Sequence, residues 1–154
     1  MQKLHVNWSK VAEGLGLPLE DVITHFSDGR NIGTMIERIL CQSQSWKRVD
    51  SELSPYDAVS NDGKVEIRCI TKGGVSFSPS SNTGAGRSFS QKDLYEKKLD
   101  VVDFFALVNI TDINNITYKV ITSTQVKTWF EAGSIGKNAK PSMKKIIKLL
   151  ENYE

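Results

Sequence analysis

Apolar side chains recur at helical spacing in the first third of the chain and at strand spacing in the middle. In PLEDVITHF, residues Leu19, Val22, Ile23 and Phe26 fall on one face, with Pro18 at the first turn. Ser27, Asp28 and Gly29 are expected to end that helix. Asn31 is expected to cap the next, NIGTMIERILCQ, whose stripe is Ile32, Met35, Ile36 and Ile39, with Glu37 off the stripe. The period then changes. PYDAV predicts a short strand, SNDGK a tight turn and VEIRCIT a second strand. In an extended strand Glu66, Arg68 and Ile70 share one face, and Val65, Ile67, Cys69 and Thr71 share the other.

Residues 72–89 are irregular and rich in glycine and serine, with Phe77 and Phe89 expected to tie down the two ends. Ser90 is placed to cap SQKDLYEKKL, with Asp93 at the third helical position. VVDFFALVNI reads as a central buried strand and NITYKVIT as its neighbour. Ser123 is expected to cap a helix that carries Val126, Trp129 and Phe130 and stops at Gly133. Lys140, Pro141 and Ser142 lead into a last helix with Met143, Ile146, Ile147 and Leu150 at helical spacing. Strands in the middle with helices on either side predict an α/β fold. It is a single domain over residues 1–154, with a central mixed β-sheet flanked by helices.

A chain of 154 residues suits one such domain. The formal charge of +2 does not by itself mark a nucleic-acid binder. The C-terminal segment is more basic than the whole, with Lys137, Lys140, Lys144, Lys145 and Lys148 against Glu151 and Glu154. Such a run fits a solvated helix face, and it also fits a surface that meets phosphate. Cys41 and Cys69 belong to no CxxC pair, so no disulfide framework is expected, and Cys69 reads as a small buried side chain. MQKLHVNWSK has no apolar signal core, and no stretch reaches membrane-spanning length. The expectation is a cytoplasmic protein without a membrane partner.

The candidate chemistry lies in the central hairpin. Asp57 and Glu66 stand on consecutive strands with Gly63 in the turn between. Two carboxylates so placed can hold Mg²⁺, with Mn²⁺ as a substitute, and the Ile67 carbonyl is a backbone ligand beside them. A metal held there both activates water and stabilises charge on a phosphodiester. Arg68 can bind a phosphate oxygen but, being permanently protonated, cannot take a proton from water. Lys72 lies further along that face, but Gly73 and Gly74 mark the end of the strand, so Arg68 ranks first as the third catalytic residue. The plain alternative is a Glu66–Arg68 surface ion pair of little consequence. His5 and His25 are far apart and lack companions for a metal site.

SPYDAVSNDGKVEIR resembles the active-site pattern of the PD-(D/E)xK nuclease superfamily. It is closest to small type II restriction endonucleases that cut DNA as homodimers. Asp57 matches the first acid and Glu66 the second; Tyr56 separates Pro55 from Asp57, and Arg68 stands where the family has lysine. The likeness covers residues 31–130. It implies a restriction-endonuclease-like fold and Mg²⁺-dependent cleavage of double-stranded DNA at a short palindromic site. It also implies a homodimer, with the helices of residues 8–44 as its surface, and Glu37 as an additional acid near the metal. On this reading Lys72, Ser78, Ser80, Ser81, Asn82 and Arg87 face DNA. Asn82 and Arg87 would read base edges and the serines contact phosphate. A two-fold dimer would present one active site to each strand. The departure at Arg68 leaves open an active variant, a weakly active enzyme, and a domain that binds DNA without cutting. A structure-specific nuclease of the Holliday-junction resolvase type is the main enzymatic alternative.

Overall fold

The computed structural model describes residues 1–27, 31–51 and 53–154. Six strands form one sheet in the order β1-β6-β5-β4-β3-β2. They are β1 (Gln2–Lys3), β2 (Lys47–Arg48), β3 (Ala58–Val59), β4 (Lys64–Ile70), β5 (Phe104–Asn109) and β6 (Thr117–Thr122). Only β4 and β5 run parallel; the other neighbours are antiparallel. Parallel neighbours need a long crossover, here residues 71–103, which carry the serine-rich loop and a helical segment.

The two sheet faces bury different side chains. On one, Val65, Ile67, Ala106 and Val108 pack with Trp8, Val22, Ile36 and Leu40. These come from α1 (Trp8–Leu15), α2 (Leu19–Phe26) and α3 (Gly33–Gln44). On the other, Ile70, Phe105, Leu107 and Ile121 pack with Leu94, Val126, Trp129, Ile146 and Leu150. Those belong to α4 (Gln91–Leu94), α5 (Ser123–Glu131) and α6 (Met143–Glu151). The mixed α/β sheet is therefore covered on both faces, with Val65 and Ile67 of β4 buried on one and Ile70 on the other. Among the described residues, no helix is long and apolar enough to cross a membrane.

Several local expectations shift. Pro18 is the N-cap of α2 rather than a helical residue, with extended ψ of 143°. The helix ends at Ser27; Asp28 and Gly29, assigned to the same stop, lie outside the described residues. Asn31 does not cap α3. Ile32 holds that position, and the Asn31 amide faces His25 Nε2 at 3.4 Å. Only Ala58 and Val59 of PYDAV pair as strand; Asp57 keeps backbone bonds to Val65 and Val49, and its side chain takes the Ile67 N–H. Ser123 is the first helical residue of α5 rather than its cap. Thr122, still extended, accepts the Gln125 N–H, while the buried Ser123 hydroxyl donates to the Leu99 carbonyl. Cys41 is buried as a core residue, but Cys69 is only half-buried.

Other expectations hold. Ser90 accepts the Asp93 N–H at 3.2 Å and starts α4. Phe77 is fully buried edge-on to Phe105, and Phe89 packs near Phe130, so both ends of the irregular loop are anchored.

Candidate active site

The site forms where β3 leaves β4. Pairing stops after Ala58↔Val65, and the Asp57 N–H donates to the Val65 carbonyl at 3.0 Å. Asp57 Oδ2 then accepts the Ile67 N–H at 2.7 Å, so a carboxylate takes the place of the next backbone partner. Along a strand, a residue's N–H and C=O face the same edge. The Ile67 carbonyl therefore faces the edge that Asp57 occupies. Glu66 and Arg68 project instead from the sheet face covered by α4, α5 and α6.

Glu66 is only 3% exposed. Its Oε1 accepts from Lys98 Nζ at 2.6 Å and pairs with Arg68 Nη2 at 2.7 Å. Its Oε2 is buried without a hydrogen-bond partner. Arg68 Nη2 also donates to the Ser78 carbonyl at 3.2 Å, while its Nε is buried and unpaired. Lys98 donates a second bond, to the Pro55 carbonyl at 3.0 Å, and so ties the segment before Asp57 to Glu66.

Lys98 and Leu99 share the buried face because the helix widens. After α4 the chain makes a π-helical turn over Tyr95–Leu99, closed by the Asp100 N–H on the Tyr95 carbonyl. In an α-helix, the residue four after Leu94 returns to its face. The wider turn brings the fifth back as well. Lys98 and Leu99 are consequently both buried.

A cleft of about 340 Å³ opens here, lined by Glu37, Arg48, Asp57, Glu66, Ile67, Arg68, Ser80 and Lys98, among others. Glu37 faces Arg48 at 3.7 Å. Burial raises the Glu66 carboxyl above its ordinary range; Arg68 and Lys98 oppose the rise, and Asp57 adds to it. Burial also raises Glu37, with the Asp57 charge second. Net upward shifts beside several cations show that burial outweighs the attraction of those cations.

The donors suit a hard divalent cation: the Asp57 carboxylate and the Ile67 carbonyl on one edge, and the Glu66 carboxylate with its orphaned oxygen. Among the described residues, no three His, Cys, Asp or Glu side chains gather into a metal-binding group. A cation would therefore rest on Asp57, Glu66 and the Ile67 carbonyl, with water completing its shell. Glu37 lines the cleft without completing a three-residue cluster.

The other sequence candidates are dispersed. Ser80 lines the cleft. Ser78 is buried, and its carbonyl holds Arg68. Lys72 is exposed in the Thr71–Gly74 turn and does not line the cleft. Asn82 donates to the Ser88 carbonyl, and Arg87 to the Ser80 and Thr83 carbonyls, so both brace the loop. Sequence reasoning missed Lys98 and Arg48. The available signal for Lys98 was its place four residues after Leu94, on the apolar face of its helix.

No protein-family model, curated protein or solved structure matches this chain.

Proposed function

We propose that the chain is a metal-dependent endonuclease of double-stranded DNA, with a restriction-endonuclease-like plan and a type II mode of action. The observation that carries the reading is the convergence of Asp57 and Glu66, with its orphaned buried oxygen, on one cleft with Arg48, Arg68 and Lys98. Asp57, Glu66 and the Ile67 carbonyl would hold Mg²⁺, or Mn²⁺ in its place. Bound there, the metal supplies Lewis acidity to the phosphate and lowers the pKa of water.

The protein's own groups do the remaining work. Lys98 Nζ has three protons, of which Glu66 and Pro55 take two. The third is available to a phosphate oxygen or to the attacking water. Arg68 keeps donors beyond its bonds to Glu66 and Ser78, and these favour a non-bridging oxygen. Lys98 thus supplies, from the crossover, the ammonium group that position 68 lacks. Glu37 and Arg48 form the opposite wall. The exposed Leu15, Leu17 and Leu19 support the helices of residues 8–44 as the face between two copies.

A second reading, a protein that binds DNA without cutting, is favoured by one detail. Arg68 and Lys98 already engage the same Glu66 oxygen.

The test is digestion of long linear DNA and of a four-way junction with Mg²⁺, Mn²⁺ or EDTA. The original chain is compared with Asp57→Asn and Arg68→Lys. Discrete metal-dependent fragments of linear DNA that Asp57→Asn abolishes support the proposal. Cutting confined to the junction supports the resolvase-type alternative. Cutting by Arg68→Lys alone identifies a binding protein disabled at position 68. Absence of cutting by all versions overturns the nuclease reading.

A further inference from the structure

Residues 132–150 contain five lysines and no acid. Lys137, Lys140, Lys144, Lys145 and Lys148 are all exposed. Among the described residues, none of them pairs with a carboxylate. A merely solvated helix face usually interleaves both signs.

The arrangement also works against the helix that carries it. Lys144 and Lys145 lie in the first turn of α6, which has no acidic residue. The helix dipole disfavours cations at that end. Lys144 and Lys148 are four residues apart, and Lys145 and Lys148 three, so their charges repel. An anionic partner on this face would offset both costs.

The position of the patch points to the partner. The Val75 N–H donates to the Pro141 carbonyl at 3.3 Å and the Phe77 N–H to the Ala139 carbonyl at 3.0 Å. The Ser78 hydroxyl donates to the Asn138 carbonyl at 3.4 Å. Ala139 and Pro141 are buried in this strap, which leaves Lys137 and Lys140 outward. Ser78 in turn holds Arg68, the partner of Glu66. The strap is thus fastened to the wall of the cleft, and α6 extends the lysines away from it. Within α6, Lys144 to Lys148 rise about 6 Å, which covers about two phosphates of a duplex strand, and the strap lysines extend the patch.

We propose that these five lysines form a phosphate-tracking surface that holds the DNA backbone beside the cleft. The inference rests on the nuclease reading for the identity of the polyanion, and its test separates the two. A labelled duplex is titrated with the original chain in Ca²⁺ at increasing salt. The same is done with a Lys144→Gln/Lys145→Gln/Lys148→Gln version and a Lys137→Gln/Lys140→Gln version. Thermal melting checks that both remain folded.

Removing one lysine–phosphate interaction should flatten the log–log salt dependence by about 0.9. The triple version is expected to lose roughly 2–3 in slope, and the double version up to about 2. An unchanged slope in both folded versions overturns the inference, even if the original chain cuts DNA. Lysine-dependent binding without any cutting sustains the inference and removes the catalytic reading. Failure of the original chain to bind duplex, or binding only to phosphatidylserine vesicles, overturns it.

Discussion

Lys98 Nζ and Glu66 Oε1 lie 2.6 Å apart across 32 residues of sequence, both buried. Glu66 stands in the strand that enters the parallel crossover, and Lys98 stands shortly before the strand that leaves it. The ion pair therefore closes the base of the parallel crossover. It joins the candidate chemistry to the integrity of the fold.

Removing Lys98 leaves the buried Glu66 carboxylate undercompensated, with only the partly exposed Arg68 beside it. Lys98→Met is expected to lower stability by about 3 kcal/mol. Adding Glu66→Gln should recover a substantial part, because the uncompensated charge is then gone. Urea unfolding of the two single changes and the double change measures this. Simple additivity would show that the pair is not coupled.

The Glu66 and Glu37 carboxyls are both raised, burial being the main cause. A raised folded-state pKa means that the native protein holds protons the unfolded chain has released. The stability from these groups is full below the ordinary glutamate range and is lost as pH rises through the raised values. A divalent cation opposes that loss by favouring the charged forms. Stabilisation by Mg²⁺ is thus expected to be larger at mildly alkaline than at mildly acid pH. Thermal melting with and without Mg²⁺ across that range gives the comparison; a pH-independent increment would contradict it.

Burial pushes the Cys41 thiol up to about 11 and the Cys69 thiol up to about 12. At pH 8 the reactive thiolate is then roughly one part in a thousand or less. Iodoacetamide should leave both thiols unmodified in the native protein and label both after denaturation, as read by mass spectrometry. Rapid native labelling of the half-buried Cys69 would be the contrary result.

Gly74 adopts φ of 99°, and a Cβ there would collide with the Pro141 carbonyl. Gly74→Ala is expected to cost about 2 kcal/mol or more, since both the backbone conformation and the close approach disfavour it. The change should also displace the lysine-bearing strap. Denaturant unfolding reads the first effect. A flatter salt dependence of duplex binding, with the core still folded, reads the second.

The long periodic elements were legible because burial imposes their period. The Glu66–Arg68–Ile70 face and the α6 stripe of Ile146 and Leu150 both follow from spacing alone. The two-residue strands β1 and β2 carry no period and were invisible. The shift of the α5 cap from Ser123 to Thr122 turns on which neighbouring hydroxyl reaches the Gln125 N–H, a choice that composition does not determine. Asp57 and Glu66 stood out as paired acids, and they do line one cleft. Lys98 was hidden because it sits among the charged residues of EKK, and only its spacing four residues after Leu94 marks it as inward. Asn82 and Arg87 looked free to meet a ligand, whereas loop geometry gives each a backbone carbonyl.

The crossover separates two design tasks. Glu66 in the strand before it and Lys98 near its end are joined, while its middle, from Pro79 to Ser90, makes no pairing with the sheet. Residues Gly84 to Ser88 are exposed throughout. Closing a longer flexible loop between fixed ends adds only about 0.6 kcal/mol per doubling of length. New residues can therefore be spliced into this segment with little penalty to the sheet or the cleft. The fold is, in that sense, a fixed chuck with an exchangeable bit: the tool face can be redrawn while the part that grips stays unchanged.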